Sequence, residues 1–247
     1  MTGAALAAAI VITCGAALCQ SLTGFGFALV MVPLLSLAWD VKSAVVTSTV
    51  LGTVILLPLL FEARRHVRLA TAAALVTGSL AGVPAGILLL DWIDPEALEI
   101  LVGVTVVVAS VLVYRVREVS TTRAGVIPAV AAGAVSGILG GSTSMSGPPA
   151  VLYLLGSEKD MEAFRGTILA FFLPMSLVTI AGLAAVGRVT PDVVRTSVIA
   201  LPALVVGLVI GAWLRYRVRE ELFRLLVLVF LILTSIGVIV SASLALV

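Results

Sequence analysis

Charge is what this sequence has least of. Only 11% of its 247 residues are Asp, Glu, Lys or Arg, against 61% that are hydrophobic. A water-soluble domain carries charge on about a quarter of its positions, so a soluble globular fold is excluded. Histidine occurs once, as His66 in a basic connection, and cysteine twice, as Cys14 and Cys19. Two cysteines five residues apart, with no His or carboxylate beside them, are no metal signature. They read as small apolar packing residues. No HExxH motif, no Ser/His partnership and no carboxylate pair within an apolar run is present, which argues against an intramembrane enzyme. Neither a metal nor a cofactor is expected, and no nucleic-acid partner. No Lys or Arg precedes the apolar N-terminus, so Gly3–Cys19 reads as a retained membrane segment rather than a cleaved signal peptide.

What is present is apolar and comes in long runs. Mean hydropathy is +1.26. Leu69–Leu90, Ala97–Tyr114, Ala163–Val186, Val193–Leu214 and Leu222–Val247 carry few or no charges. Each has about the 20 residues that cross a ~30 Å hydrocarbon core. The expected fold is all-α: a polytopic integral membrane protein, with the lipid bilayer as its main surroundings.

The basic residues orient it. Most of the 15 Lys and Arg fall in four connections, around Arg64–Arg68, Arg115–Arg123, Lys159–Arg165 and Arg215–Arg224. Basic connections mark the cytoplasmic side. Asp91–Glu96 and Gly187–Asp192 then lie outside. Parity requires residues 124–155 to leave the inner face and return to it. Two readings stand open: a re-entrant hairpin of two half-helices, or two short crossings. The breaker-rich stretch Gly140–Pro149 lies where the chain would turn.

The two halves resemble each other. Gly24-Phe25-Gly26…Pro33 aligns with Gly140-Gly141-Ser142…Pro149 at an offset of about 116, Ala44 with Ala163, His66–Arg68 with Arg188–Thr190, and Gly82 and Gly86 with Gly207 and Gly211. Equivalent connections have opposite charge character. The expectation is two inverted repeats, residues 1–119 and 120–247, forming a single transport domain. Each would contain one broken hairpin (roughly Gly3–Leu37 and Ala124–Leu155) and three spanning helices. That gives 8–10 transmembrane helices with both termini outside a bacterial-type inner membrane. Eight simple spans without re-entrance are the alternative. Glycines at every fourth position (Gly78, Gly82, Gly86; Gly133, Gly137, Gly141; Gly207, Gly211) predict close helix packing. A homodimer surface is the second use for such stripes.

Broken helices at membrane depth need protein or a water-filled cavity around them. Half-helix N-termini meeting near the midplane are a transporter arrangement that favours anions. Gln20, Thr23, Gly24, Phe25 and Gly26 in the first break, and Gly140, Gly141, Ser142, Thr143, Ser144 and Ser146 in the second, are the candidate substrate-binding residues. Thr47, Ser48, Thr49, Thr53 and Thr167 are candidates for the same cavity wall. Arg165 either reaches the cytoplasmic surface or attracts an anion from that side. The rival role for these polar residues is to cap half-helices.

The glycine-rich stretches TGFGFALVMVP and SGILGGSTSMSGPP, one per half, resemble those of the sulfite exporter TauE/SafE family of permeases. The resemblance covers nearly the whole chain. The commoner family form has a GxGGG-like run in each half; here the runs are Gly-Phe-Gly and Gly-Gly-Ser-Thr-Ser, which looks like a subgroup. The resemblance implies a secondary transporter for small sulfur-containing or organic anions, such as sulfite or organosulfonates. An anion channel and a membrane scaffold without transport are the alternatives.

Overall fold

The computed structural model describes residues 3–115, 125–158 and 160–215. The expected span Leu222–Val247, the boundary between residues 119 and 120, and most of the second and fourth basic connections lie outside the described residues. Among those described, the chain is helical: α1 (Gly3–Thr23), α2 (Phe27–Ser36), α3 (Val41–Ala63), a 3₁₀ turn (Arg64–His66), α4 (Leu69–Trp92), α5 (Pro95–Arg115), α6 (Val126–Thr143), α7 (Gly147–Ser157), α8 (Met161–Ala185) and α9 (Pro191–Arg215). Six of these, α1, α3, α4, α6, α8 and α9, are long and apolar enough to cross a membrane. Large apolar side chains such as Leu80, Leu88, Val205 and Val209 point outward, as a lipid-facing surface requires. The protein is a polytopic all-α membrane protein.

Glycine decides which helices pair. An added Cβ at Gly78, Gly82 or Gly86 of α4 would strike the carbonyl oxygens of Val130, Ala134 or Ile138 of α6. From the other side, one at Gly137 would lie 2.7 Å from Ser79 O, and one at Gly141 2.6 Å from Val83 O. Backbone therefore lies on backbone, which small residues alone permit. The contacting positions rise together in both helices, so α4 and α6 are parallel. Gly207 and Gly211 of α9 do the same against Cys14 and Leu18 of α1, and that pair is parallel as well. The glycine stripes are thus used within one chain.

The ends of the bundle sort as the charges predict. Arg188 pairs with Asp91, and Lys42 Nζ donates to Asp91 O at 3.1 Å, which joins three connections at one end. Arg68 pairs with Glu158 at 3.2 Å, and Arg68 N donates to Thr167 Oγ1 at 3.0 Å, at the opposite end. Helices α3 and α8 run antiparallel, because Gly166 near the start of α8 packs on Ala63 O at the end of α3. Each opens on an aspartate cap: Asp40 accepts from Ser43 N at 2.8 Å and Asp160 from Glu162 N at 3.1 Å.

Candidate functional site

The two breaks share one backbone device. Thr23 Oγ1 donates to Cys19 O at 2.9 Å and accepts from Phe25 N at 3.2 Å. Thr143 Oγ1 donates to Leu139 O at 2.8 Å and accepts from Met145 N at 3.3 Å. The next residue is left-handed in both, Gly24 at φ 82° and Ser144 at φ 63°. Its N–H closes the helix, Gly24 N to Gln20 O at 2.8 Å and Ser144 N to Gly140 O at 3.0 Å. Thr23 therefore corresponds to Thr143 and Gly24 to Ser144, as Asp40 does to Asp160. The register is 120 residues, and the alignment of Gly24-Phe25-Gly26 with Gly140-Gly141-Ser142 is displaced by four.

After each break a short helix starts inside the bundle. Positions Gly26, Phe27, Ala28 and Leu29 at the head of α2 have no intrahelical acceptor for their N–H groups; the first such bond is Val30 N to Gly26 O at 3.2 Å. Gln20 takes one of the four, accepting from Phe27 N at 2.9 Å while its Nε2 donates to Gly24 O at 3.2 Å. The head of α7 reads Ser146-Gly147-Pro148-Pro149. Its prolines have no N–H, so Ser146 and Gly147 are its two free backbone donors.

Between these helix starts lies a cavity of about 60 Å³. On the scale where one water needs ~10–15 Å³, it holds a handful of heavy atoms. Gln20, Gly26, Phe27, Ala28 and Leu29 line it from the first break, and Gly140, Ser144, Met145, Ser146 and Gly147 from the second. Helix α3 adds Ser48 and Thr49, and α8 adds Phe172, Met175, Ser176 and Thr179. The breaks touch directly: the Phe25 ring lies 3.8 Å from where a Cβ on Gly147 would sit. No charged side chain among the described residues lines this cavity.

Of the twelve residues expected to bind substrate, Gln20, Gly26, Gly140, Ser144 and Ser146 line the cavity. The other seven have different surroundings. Thr23 and Thr143 cap their own helices. Ser142 Oγ donates to Ile138 O at 2.7 Å, bonding back onto α6. Gly141 packs on α4, Gly24 against the stem of Arg165, and Phe25 towards Gly147. Arg165 is 5% exposed. It neither reaches the surface nor lines the cavity: its Nη2 donates to Ser21 O at 3.3 Å and to Glu62 Oε2 at 3.4 Å. Among the candidate wall residues, Ser48 and Thr49 are in place, whereas Thr53 bonds to Thr49 O and Thr167 accepts from Arg68 N.

Hydroxyls crowd the second break. Thr49 Oγ1 donates to Val45 O at 2.9 Å and lies 3.0 Å from Ser144 Oγ, which in turn lies 3.4 Å from Ser48 Oγ. The Ser146 hydroxyl has no partner among the described residues, although the residue is only 7% exposed. Ser176 and Thr179 are wall residues that sequence reasoning missed. A single hydroxyl in a long apolar helix carries no pattern of its own.

Interrupted helices meet around a cavity lined by hydroxyls and by apolar side chains, inside a bundle with an apolar exterior, an arrangement that transporters use. The chain belongs to the sulfite exporter TauE/SafE family, whose model matches residues 8–238. It is therefore a member of a transporter family, rather than of an enzyme family. No curated protein and no solved structure matches it.

Proposed function

We propose that the protein is a secondary transporter for small sulfur-containing or organic anions, such as sulfite or organosulfonates, held between the two helix breaks. The observation that carries this reading is the central cavity, onto which the starts of α2 and α7 converge. A helix start presents free N–H groups and a partial positive charge to an anion. Backbone donors from Gly26, Ala28, Leu29, Ser146 and Gly147, with the hydroxyls of Ser48, Ser144 and Ser146, replace the water around the ligand; those of Thr49, Ser176 and Thr179 donate back to their own helices. Phe27, Met145, Phe172 and Met175 provide apolar wall for a short organic substituent. Arg165, buried beside the first break, holds that break through Ser21 O and its pair with Glu62 and does not touch the ligand.

The test is uptake of labelled methanesulfonate and sulfite into proteoliposomes of the purified full chain. Saturable flux that each anion inhibits for the other is expected. Unsaturable conductance would replace the transporter with a channel, and no flux of either anion would end the proposal.

A further inference from the structure

We infer that the cavity takes its anion only in singly charged form and rejects doubly charged ones. The inference rests on the transport reading above and deepens it. Helices α1, α2, α6 and α7 carry no ionisable Asp, Glu, Lys or Arg along their lengths. The charges beside the first break are Arg165 on α8 and Glu62 on α3, paired through Nη2 at 3.4 Å; Arg165 Nε and Nη1 are buried without a partner among the described residues, and neither side chain lines the cavity.

What remains to balance a ligand's charge is the helix ends. The starts of α2 and α7 present about half a positive charge each and the ends of α1 and α6 at the same breaks subtract from it, so together they offer at most about one. Helices α2 and α7 have 10 and 11 residues, long enough for that field to develop. The unpartnered Ser146 hydroxyl, in a residue more than nine-tenths buried, independently marks a position where a ligand oxygen belongs. The helix ends suffice for a single negative charge at most. A second would stand uncompensated against a wall that holds no charged side chain among the described residues. The cost of removing an ion from water grows with the square of its charge, so a dianion costs about four times what a monoanion of equal size costs.

Two consequences follow for chemistry. A sulfonate carries one charge at any ordinary pH and always qualifies. Sulfite divides near neutrality between the dianion and hydrogensulfite, and only hydrogensulfite qualifies. Each hydrogensulfite that crosses carries its own proton on oxygen or sulfur and gives it up where the pH is higher. Proton movement then accompanies sulfite without any protein group titrating.

The experiment compares methanesulfonate, sulfite and sulfate flux in proteoliposomes of the full chain. Both sides are held at equal pH, from one unit below to one unit above the second ionisation of sulfite. At constant total sulfite, its flux at sub-saturating concentration should fall about tenfold across that range, as hydrogensulfite does. Methanesulfonate flux should stay level, and excess sulfate should neither cross nor compete. Level sulfite flux, competition by sulfate comparable to that of sulfite, or a parallel fall in methanesulfonate flux would each overturn the inference while leaving transport intact. The last result would place the titrating group in the protein. Absence of flux for every anion would instead remove the transport reading and this inference together.

Discussion

The two breaks share a backbone and differ in what they place on it. The first puts glycine in the left-handed position and braces the gap with Gln20, whose amide spans from Gly24 O to Phe27 N. The second puts Ser144 there, at φ 63°, and has Gly140 where the first has Gln20. It surrounds the gap with hydroxyls and removes two backbone donors through Pro148 and Pro149. The first break is therefore a rigid presenter of backbone N–H groups. The second offers side-chain donors that turn, since one hydroxyl proton can leave a neighbouring oxygen for a ligand. One strong, fixed contact set opposite one adjustable set suits a ligand that must be released as well as held.

The brace gives the largest expected effect. Gln20→Leu strands a buried carbonyl and a buried N–H, at about 1–3 kcal/mol each. A clear loss of thermal stability in detergent should accompany loss of flux. If stability were unchanged, the first break would not depend on its brace, and the contrast with Gly140 would collapse.

Backbone conformation comes next. Gly24→Ala forces a side chain into φ 82° with its Cβ 2.9 Å from Arg165 Cγ, and should cost about 1–3 kcal/mol. At the equivalent position the reverse change, Ser144→Gly, should leave stability level or raise it by about 1 kcal/mol, while weakening anion binding. Thermal melts of the two variants side by side read the comparison directly, and equal losses would break it.

Ser146→Ala removes the one cavity hydroxyl without a partner in the described chain. It should leave folding unchanged and weaken anion affinity by a factor equivalent to about 1 kcal/mol, roughly fivefold. Affinity from ligand-induced thermal shifts is the measurement, and no change would mean the hydroxyl faces no ligand. The smallest effect expected is a gain. Pro149→Ala returns an N–H to the head of α7, making the second break more like the first, and should tighten anion binding by a few-fold. Weaker binding would show that the rigidity of the two prolines matters more than the donor they remove.

Much of this architecture was legible in composition and glycine spacing. Long runs with almost no charge leave few choices but helices in lipid, and basic connections separated the two ends as Arg68–Glu158 and Arg188–Asp91 now divide them. Glycine identity alone pairs the two breaks four residues out of register. Gly24-Phe25-Gly26 was matched to Gly140-Gly141 on glycine identity, whereas the backbone puts Ser144 in the conformation of Gly24. Serine at φ 63° is uncommon enough that no pattern announces it. Ser142 and Thr143 looked like ligands because they are polar in an apolar setting. Their hydroxyls are instead satisfied one turn back on α6, which a list of residue types does not reveal. Ser176 and Thr179 reach the cavity through the packing of α8 in the bundle, a fact of tertiary structure.

The glycine seams have a consequence for how the molecule is made. Helix α1 finds its backbone-close partner in α9, and α4 finds its partner in α6. Each seam joins the first arm of one half to the fourth helix of the other. Ribosomal synthesis delivers the N-terminal half first, with the groove of α1 open to lipid until α9 emerges. The α4–α6 seam can close once α6 follows α5, whereas the α1–α9 seam waits for α9 and closes late. A duplicated ancestor of half this length would have met the same requirement with a second copy of itself.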